Sequence, residues 1–250
     1  MTSGAYVRAI ADAGGVEKGD TVLEIGPGEG ILTAELLARE ARVIAVEKDH
    51  RLIPILTARF DKEISEKRLT LIEADALEFD VSNYQLKTNN YKLVANIPYY
   101  ITGALFEKFL GHEPRPTTLV FLVQKEVAER IARAKKESIL SLSVKAYGKP
   151  KYIKTVPRGA FRPAPTVDSA ILAITDISGK NFTSAAHEKK FFELLHAGFA
   201  HKRKLLARNL ELILGAQTPA VLAKANIPEK SRAEDIALEK WVEAAKKALK

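Results

Sequence analysis

Short apolar runs alternate with helical patterns along the first half of the chain, and this alternation limits the possible folds more than any other feature. The runs predict five strands, at residues 21–25, 42–47, 69–73, 92–96 and 118–123. Helical patterns follow four of them, at residues 31–39, 51–60, 102–110 and 125–134. This alternation is typical of βαβ units and predicts a parallel sheet, which binds ligands at the carboxyl ends of its strands.

The pattern changes after the fifth predicted strand. Residues 141–147 and those around Ile153 are interpreted as β structure, and another strand is predicted over residues 169–175. Residues 178–181 (Ser-Gly-Lys-Asn) are interpreted as a linker, and the later patterns are helical, at residues 187–199, 202–214, 218–225 and 233–249. We therefore expect an α/β domain over residues 1–177 and a small all-helical domain over residues 178–250.

Composition narrows the function classes. The chain has no cysteine, which excludes a disulfide framework, a thiolate nucleophile and a thiolate metal site, and no metal site is predicted. No signal peptide and no apolar run of roughly 20 residues is found, so we expect a cytoplasmic protein without a membrane partner. Residues 1–123 carry a net charge of −4 and residues 124–250 a net charge of +12. This asymmetry indicates either a polyanion-binding face or a solubilising surface.

A glycine-rich turn follows the first predicted strand. Gly26, Gly28 and Gly30 let the backbone turn sharply and approach a ligand closely. Their spacing differs from the G-x-G-x-x-G pattern of dinucleotide-binding proteins, whose ligand carries a pyrophosphate. S-adenosylmethionine has no phosphate and is cationic at its sulfonium and ammonium groups. A tight strand-to-helix turn without a ligand is the alternative.

Acidic residues stand at three successive strand ends and favour a nucleoside ligand. Glu24 on the first strand can answer a positive charge, Glu47 can accept hydrogen bonds from ribose hydroxyls, and Asp75 can accept from an adenine amino group. Each acid alone could equally be a solvated side chain. Together with the glycines they predict a site for S-adenosylmethionine. The predicted cofactor-binding residues are Glu24, Gly26, Gly28, Glu47, Lys48, Asp75, Ala76 and Asn96.

The sequence Asn-Ile-Pro-Tyr-Tyr at residues 96–100 predicts the chemical site. An adenine N6 amine is a poor nucleophile because its lone pair is delocalised into the ring. The Asn96 side-chain oxygen and the Pro98 carbonyl can accept its two N–H groups and free that lone pair, while Tyr99 stacks on the base. Phe161 is predicted to cover the other face of a flipped base. The alternatives are a turn with a packed tyrosine and a core phenylalanine, and Tyr100 is interpreted as structural.

Basic residues form two candidate phosphate-binding patches. Lys202, Arg203, Lys204 and Arg208 are predicted on or near one helix, where spacing of four places Lys204 beside Arg208. Arg130, Arg133 and their lysine neighbours form the second patch. Phosphate contacts of this kind position an RNA but do not specify its sequence. A solvated surface helix is the alternative for the first patch.

Six stretches of the chain resemble the KsgA-type small-subunit rRNA adenine dimethyltransferases. Residues 24–33 (Glu-Ile-Gly-Pro-Gly-Glu-Gly-Ile-Leu-Thr) resemble the family's first motif, and residues 96–100 resemble its catalytic motif. Residues 199–210 resemble the basic helix of its C-terminal domain. The remaining stretches are residues 124–130, 161–170 and 232–235. The resemblance extends over nearly the whole chain.

The resemblance implies a Rossmann-like, class I S-adenosylmethionine-dependent methyltransferase domain followed by a small helical domain. It implies dimethylation of two adjacent adenosines near the 3′ end of small-subunit rRNA, with an immature 30S-type subunit as partner and a monomeric enzyme. The family usually begins with a basic stretch and a Gln-Asn-Phe-Leu segment that closes over the cofactor. This sequence starts just past the place of that segment, so a truncated start and a protein without the clamp both remain open.

Three other functions remain as alternatives. A related antibiotic-resistance methyltransferase that acts on large-subunit rRNA would use an Asn-Ile-Pro-Tyr site in the same way. Residues 124–130 and the C-terminal motifs argue against this function. A non-catalytic assembly factor that binds immature small subunits is a different class. A dehydrogenase is disfavoured by the glycine spacing.

Overall fold

One mixed sheet forms the centre of the first part of the chain in a computed structural model that describes residues 4–84, 86, 90–97 and 99–249. Its strands are β1 (Thr21–Ile25), β2 (Arg42–Glu47), β3 (Leu69–Glu73), β4 (Lys92–Asn96), β5 (Thr118–Gln124), β6 (Lys149–Val156) and β7 (Ser169–Thr175). They lie in the order β3-β2-β1-β4-β5-β7-β6. The first five are parallel, whereas β7 is antiparallel to both β5 and β6. The predicted α/β fold class is confirmed.

Helices join the strands and make up most of the C-terminal part. In chain order they are α1 (Gly4–Ala13), α2 (Ile31–Ala38), α3 (Leu52–Arg59), α4 (Asp61–Ser65), α5 (Thr102–Gly111), α6 (Lys125–Ala132), α7 (Ile139–Lys145), α8 (Ala185–Phe199), α9 (Leu206–Leu214), α10 (Thr218–Lys224) and α11 (Leu238–Lys247). Within the described ranges, none of these helices has the length and apolar character needed to span a bilayer.

The central strands are buried on both faces, as apolar runs in a parallel sheet require. Leu23 of β1, Leu93 of β4 and Phe121 of β5 are inaccessible to solvent. Because β2 lies on one side of β1 and β4 on the other, the strand order reverses direction at the β1–β4 pair. Such a switch point leaves a crevice beyond the carboxyl ends of the two strands, where ligands of open α/β sheets bind.

The chain divides into two compact units, and the division corrects part of the predicted domain organisation. The first unit is Met1–Glu129 with Lys149–Ile177, and the second is Arg130–Gly148 with Ser178–Lys250. The chain passes from the first unit to the second at Ser178, next to the predicted boundary at residue 177. Residues 130–148, however, were assigned to the first domain and belong with the second unit.

Contacts within the second unit explain why residues 130–148 belong there. Tyr147 accepts a hydrogen bond at its carbonyl from the Ser178 amide (2.8 Å), and its hydroxyl donates to the Glu188 carboxylate. Its ring stacks on Phe192, with centroids 6.2 Å apart. The Glu137 amide donates to the Glu234 carbonyl over 2.8 Å. These partners are 31 to 97 residues away in sequence, beyond the reach of a local pattern.

Residues 141–147, predicted as β structure, lie mostly in the helix α7. Ser138 caps this helix: its hydroxyl accepts from the Ser141 amide (3.1 Å), and the Ser141 hydroxyl accepts from the Ser138 amide (2.7 Å). Leu142 and Val144 are fully buried. A short apolar run suits either a buried strand or a buried helix, and here the capping box decides for the helix.

The predicted helix over residues 202–214 begins only at Leu206. The Asn209 side chain donates to the Gly198 carbonyl (2.6 Å) and to the His201 carbonyl (3.2 Å), which ties α9 to the end of α8 and holds residues 201–205 in a turn. The last helix is also shorter than predicted, because residues 233–235 form a separate 3₁₀ turn before α11.

Replacing Gly198 with alanine should destabilise the second unit. The added methyl would overlap the buried Trp241 ring and lie 2.9 Å from Leu206 Cδ1. Overpacking of this kind costs roughly 1–3 kcal/mol. Gly103→Ala is the matched control, since its methyl meets nothing within 4 Å in helix α5 and should be neutral or slightly stabilising. Urea unfolding followed by circular dichroism measures both, and equal stability of the two variants would contradict the packing described here.

Candidate active site

The glycine turn after β1 is shaped by backbone conformations that favour glycine. Gly26, Gly28 and Gly30 have φ angles of 67°, 58° and 77°. The Gly26 amide donates to the Val46 carbonyl over 2.9 Å, which fixes the turn against the end of β2. At Gly30 a side chain would collide with the Phe60 ring, so this glycine packs the turn against helix α3 and its flank.

Glu24 is a carboxyl group buried in the sheet beside this turn. Only 1% of its surface is exposed, and one carboxylate oxygen, Oε2, accepts from the Thr33 hydroxyl over 2.7 Å. The other, Oε1, is buried and has no hydrogen-bond partner among the described residues. Burial raises the pKa of Glu24 from 4.5 to about 8, and the nearby Glu47 carboxylate adds to the rise, while Thr33 opposes it.

This arrangement suits a positively charged ligand. A carboxyl with a raised pKa and an unpartnered oxygen is stabilised in its ionised form by an adjacent cation. The glycine turn offers the close backbone approach that a bound nucleoside needs. The residues present therefore fit S-adenosylmethionine, and the predicted partners Glu24, Gly26 and Gly28 lie together at the end of β1.

Glu47 links the glycine turn to β2. Its Oε2 accepts from the Gly28 amide (3.1 Å) and its Oε1 from the Asp49 amide (2.9 Å). Each carboxylate oxygen keeps a lone pair that can accept a hydrogen bond from a ribose hydroxyl. The ribose contact itself stays a prediction. The end of β3 is joined to the same edge, because the Ala74 amide donates to the Glu47 carbonyl over 3.0 Å.

Asp75 is paired with Lys48 at this edge. The Lys48 ammonium lies 2.7 Å from Asp75 Oδ2, and the Leu77 amide donates to Oδ1 over 2.8 Å. The hydrogen bond from Lys48 lowers the pKa of the Asp75 carboxyl and raises that of the lysine. Ala76 beside them is buried. The ion pair keeps Asp75 ionised, so it can accept hydrogen bonds. An adenine amino group that binds to Asp75 would share the carboxylate with Lys48.

Asn96 ends β4 at the switch point of the sheet. Its carbonyl oxygen lies 3.7 Å from the position that a Cβ atom on Gly26 would take, so the ends of β1 and β4 lie close together. Its side chain is half-buried, and within the described ranges no hydrogen bond to that amide is formed. An amide in such a place is free to bind a ligand that enters the crevice. Pro98, the second predicted acceptor, lies outside the described residues.

Tyr99 is held at two points, one of them unforeseen from the sequence. Its hydroxyl is 2.6 Å from the hydroxyl of Ser169 at the start of β7, and its carbonyl accepts from the Thr102 hydroxyl over 2.9 Å. Ser169 and Thr102 are both buried. These two partners, like Thr33 beside Glu24, lie in or next to motif stretches. Thr102 is three residues from Tyr99, a local spacing that could have identified it, whereas Ser169 is 70 residues away.

Two other aromatic residues were given roles from the sequence. Phe161 is half-buried and packs against the hydrophobic core, and the described ring contacts do not join it to Tyr99. Its loop is fixed by Asp168, which accepts from the Arg158 amide over 2.9 Å. A role in covering a base remains a prediction. Tyr100 was interpreted as structural, but this is wrong because 84% of the residue is exposed.

The two basic patches are rearranged relative to the prediction. Lys202, Arg203 and Lys204 are exposed in the turn before α9, so they do not share a helix with Arg208, which pairs with Glu211. Arg133 is also exposed. Arg130 and Lys202, one from each predicted patch, line a single cavity of about 460 Å³ within the second unit. We call it the Phe199 cavity after the aromatic ring in its wall.

Comparison with known proteins decides the family. The family described as ribosomal RNA adenine dimethylase matches residues 1–250. The chain belongs to this family. A ribosomal RNA small subunit methyltransferase A of Dehalococcoides mccartyi is 40% identical over 245 residues, which cover 96% of this chain and 83% of that protein. One of Fusobacterium nucleatum is 36% identical and is covered to 90%. The resemblance noted in the sequence is thus confirmed, and the cofactor of the family is S-adenosylmethionine.

Solved structures share the fold. A dimethyladenosine transferase from Plasmodium falciparum superposes with a TM-score of 0.80 at 24% identity, covering 98% of this chain and 95% of that one. The 23S rRNA methyltransferase ErmE superposes with a TM-score of 0.77 at 22% identity, covering 100% and 99%. At these identities the likeness establishes the fold, and both structures agree with the predicted Rossmann-like methyltransferase architecture.

The pKa of Glu24 predicts how the stability of the cofactor-free protein depends on pH. Between its unfolded pKa of 4.5 and its folded pKa of about 8, the folded protein binds a proton that the unfolded chain has lost. The free energy of unfolding therefore falls as pH rises through this window, on the order of 1 kcal/mol per unit. Glu24→Gln, which cannot titrate, is the reference. Urea unfolding of both proteins at pH 5, 6, 7 and 8 should give diverging stabilities, and parallel curves would contradict the buried carboxyl.

Proposed function

We propose that this protein transfers methyl groups from S-adenosylmethionine to N6 of two adjacent adenosines near the 3′ end of small-subunit rRNA, giving N6,N6-dimethyladenosine. The observation that carries the proposal is the Asn96 amide, which lies at the β1–β4 switch point next to the glycine turn and has no hydrogen-bond partner among the residues that the structure describes. Relatives of 36–40% identity are named for the small ribosomal subunit, which supports that substrate over the large subunit.

Asn96 acts on the nucleophilicity of the amine. The N6 lone pair is delocalised into the purine ring while the amine stays planar. An acceptor at Asn96 Oδ1 and a second one at the Pro98 carbonyl hold its two N–H groups and favour a pyramidal nitrogen. No strong base is needed, since aligning the amine with the methyl group supplies much of the rate.

The remaining residues hold the reacting groups in place. S-adenosylmethionine supplies a methyl group on a positively charged sulfur, which leaves with the bonding electrons as nitrogen attacks. Glu24 faces that positive charge with an oxygen that has no other partner in the described part of the chain. Tyr99, fixed at its hydroxyl by Ser169 and at its carbonyl by Thr102, offers a ring in a defined place for the flipped base. The proton released from N6 passes to water.

The substrate particle and the site of action are part of the same proposal. The net charge of +12 over residues 124–250 supports binding to a folded RNA surface, such as that of an immature 30S-type subunit. A monomeric enzyme is part of the proposal. A protein that modifies immature subunits would act in the cytoplasm, where they assemble.

The function is tested with unmethylated small subunits, large subunits and radiolabelled S-adenosylmethionine. We expect label in small subunits alone, recovered as N6,N6-dimethyladenosine after nucleoside analysis. Label in large subunits would favour the resistance-type methyltransferase. Tight binding to small subunits without any transfer would favour a non-catalytic assembly factor.

Asn96→Ala should lower kcat by roughly 10²–10³, by analogy with the loss of one preorganised polar contact to a transition state. Asn83→Ala, at an exposed position of the same unit, is the matched control and should leave kcat unchanged. Steady-state methylation of small subunits measures both variants, and thermal unfolding checks that each is folded. Activity of Asn96→Ala within threefold of the wild type would refute the role of this amide.

The two-acceptor site also predicts an intermediate. After the first transfer N6 keeps one N–H group, so one acceptor loses its partner and the second transfer is less well aligned. N6-methyladenosine should therefore accumulate transiently in a single-turnover reaction that is quenched at intervals and analysed by mass spectrometry of nucleosides. If only unmodified and dimethylated adenosine are found at every time point, the two acceptors do not act as described.

A further inference from the structure

The Phe199 cavity combines an aromatic wall with positive charge. Three segments of the second unit line it: Arg130 with residues 136–140, Phe199 with Lys202, and Ala233 with Glu234. At about 460 Å³ it has the volume of a small-molecule site. The hydrogen bond from the Glu137 amide to the Glu234 carbonyl ties two of the segments together.

The aromatic wall is preorganised. Phe199 is half-buried at the end of α8, and its ring stacks on Trp241 with centroids 5.9 Å apart and an angle of 22° between the planes. Trp241 itself is fully buried and packs against Gly198. A phenylalanine supported in this way loses little freedom when a second flat ring stacks on it, which lowers the entropic cost of stacking.

The ion pairs of the cavity leave out two of its cations, although Lys202 also interacts electrostatically with Glu234. Glu234 is bonded to Lys136, and Glu137 accepts from Lys145 (2.6 Å) and from the Ser141 hydroxyl (2.7 Å). Both lining carboxylates are thus neutralised locally. Arg130 and Lys202, by contrast, form no ion pair within the described part of the chain, and both are exposed. Their charge is therefore available to an anionic ligand such as a phosphate.

We propose that the Phe199 cavity takes one unpaired nucleotide of the RNA, with its base stacked on Phe199 and its phosphates bound by Arg130 and Lys202. The inference rests on the proposed function for the identity of the RNA. It adds a base-binding site remote in sequence from the methyl-transfer site, whereas phosphate contacts alone only position an RNA. A ring with no hydrogen-bonding pattern accepts the face of any base, so the cavity selects for an unstacked nucleotide and not for sequence.

Two short oligomers with the same number of phosphates test the proposal on the full-length chain. One is a pentamer of base-free tetrahydrofuran phosphates, and the other carries a single central guanosine, a base that the adenine-methylating site is not proposed to accept. Trp241 is the only tryptophan in the chain, so its fluorescence reports on the ring that supports Phe199. We expect the guanosine oligomer to change this emission and to bind about 5- to 150-fold more tightly, the range that base stacking of roughly 1–3 kcal/mol corresponds to.

Variants separate stacking from charge. Phe199→Leu should lower the affinity for the guanosine oligomer to that for the base-free oligomer, and the affinity for the base-free oligomer should not change. Phe192→Leu is the matched control, because Phe192 is half-buried on the same helix but does not line the cavity, and it should keep the wild-type ratio. Arg130→Gln should weaken binding of both oligomers by the same factor.

The wild-type comparison needs no variant, so it can overturn the proposal even if Phe199→Leu fails to fold. Equal affinity of wild type for the two oligomers would overturn the proposal, and so would a guanosine advantage that survives in folded Phe199→Leu. Methylation of small subunits is measured separately. If the protein transfers no methyl group but still binds the guanosine oligomer more tightly, the proposed function fails and the base site stands. If it methylates small subunits but binds both oligomers equally, the base site fails and the proposed function stands.

Discussion

The close approach of the ends of β1 and β4 is the constraint on which the rest of the site depends. Gly26 and Asn96 meet there: a Cβ atom on Gly26 would already be in van der Waals contact with the Asn96 carbonyl oxygen, at 3.7 Å. The parallel register of the two strands, with Ile25 opposite Ala95, brings the glycine turn and the Asn96 amide to the same crevice, and we propose these as the cofactor-binding and substrate-binding groups. In the proposed function, this adjacency is what brings the methyl donor and the adenine amine within reach of each other.

Glu24 shows how the fold and the cofactor are linked. One oxygen of this buried carboxyl group has no partner among the described residues, which costs free energy in the cofactor-free protein. The raised pKa keeps the group neutral and limits that cost. A cation placed beside it restores the ionised form and provides the missing partner. We therefore propose that the residue that weakens the cofactor-free fold at high pH also favours a positively charged ligand over a phosphate-bearing one.

Most of the sheet and the kinds of residue at its carboxyl edge were predictable from the sequence. Buried parallel strands are continuous apolar runs, and Glu24, Glu47 and Asn96 stand where such runs end, so their approximate place follows from chain order alone. What failed depends on partners distant in sequence. Residues 130–148 join the second unit through Tyr147 and its contacts, and the turn over residues 201–205 exists because Asn209 reaches back to α8. The hydrogen bond between Tyr99 and Ser169 has the same origin, since 70 residues separate the two.

The most direct test of the central claim is a crystal structure of the protein with adenosine and S-adenosylhomocysteine, the cofactor left after methyl transfer. The account predicts that Asn96 Oδ1 lies about 3 Å from adenosine N6, with the base against Tyr99 and N6 facing the cofactor sulfur. A structure in which the Asn96 amide and the Tyr99 ring point away from the sulfur, with no space for a base between them, would contradict it.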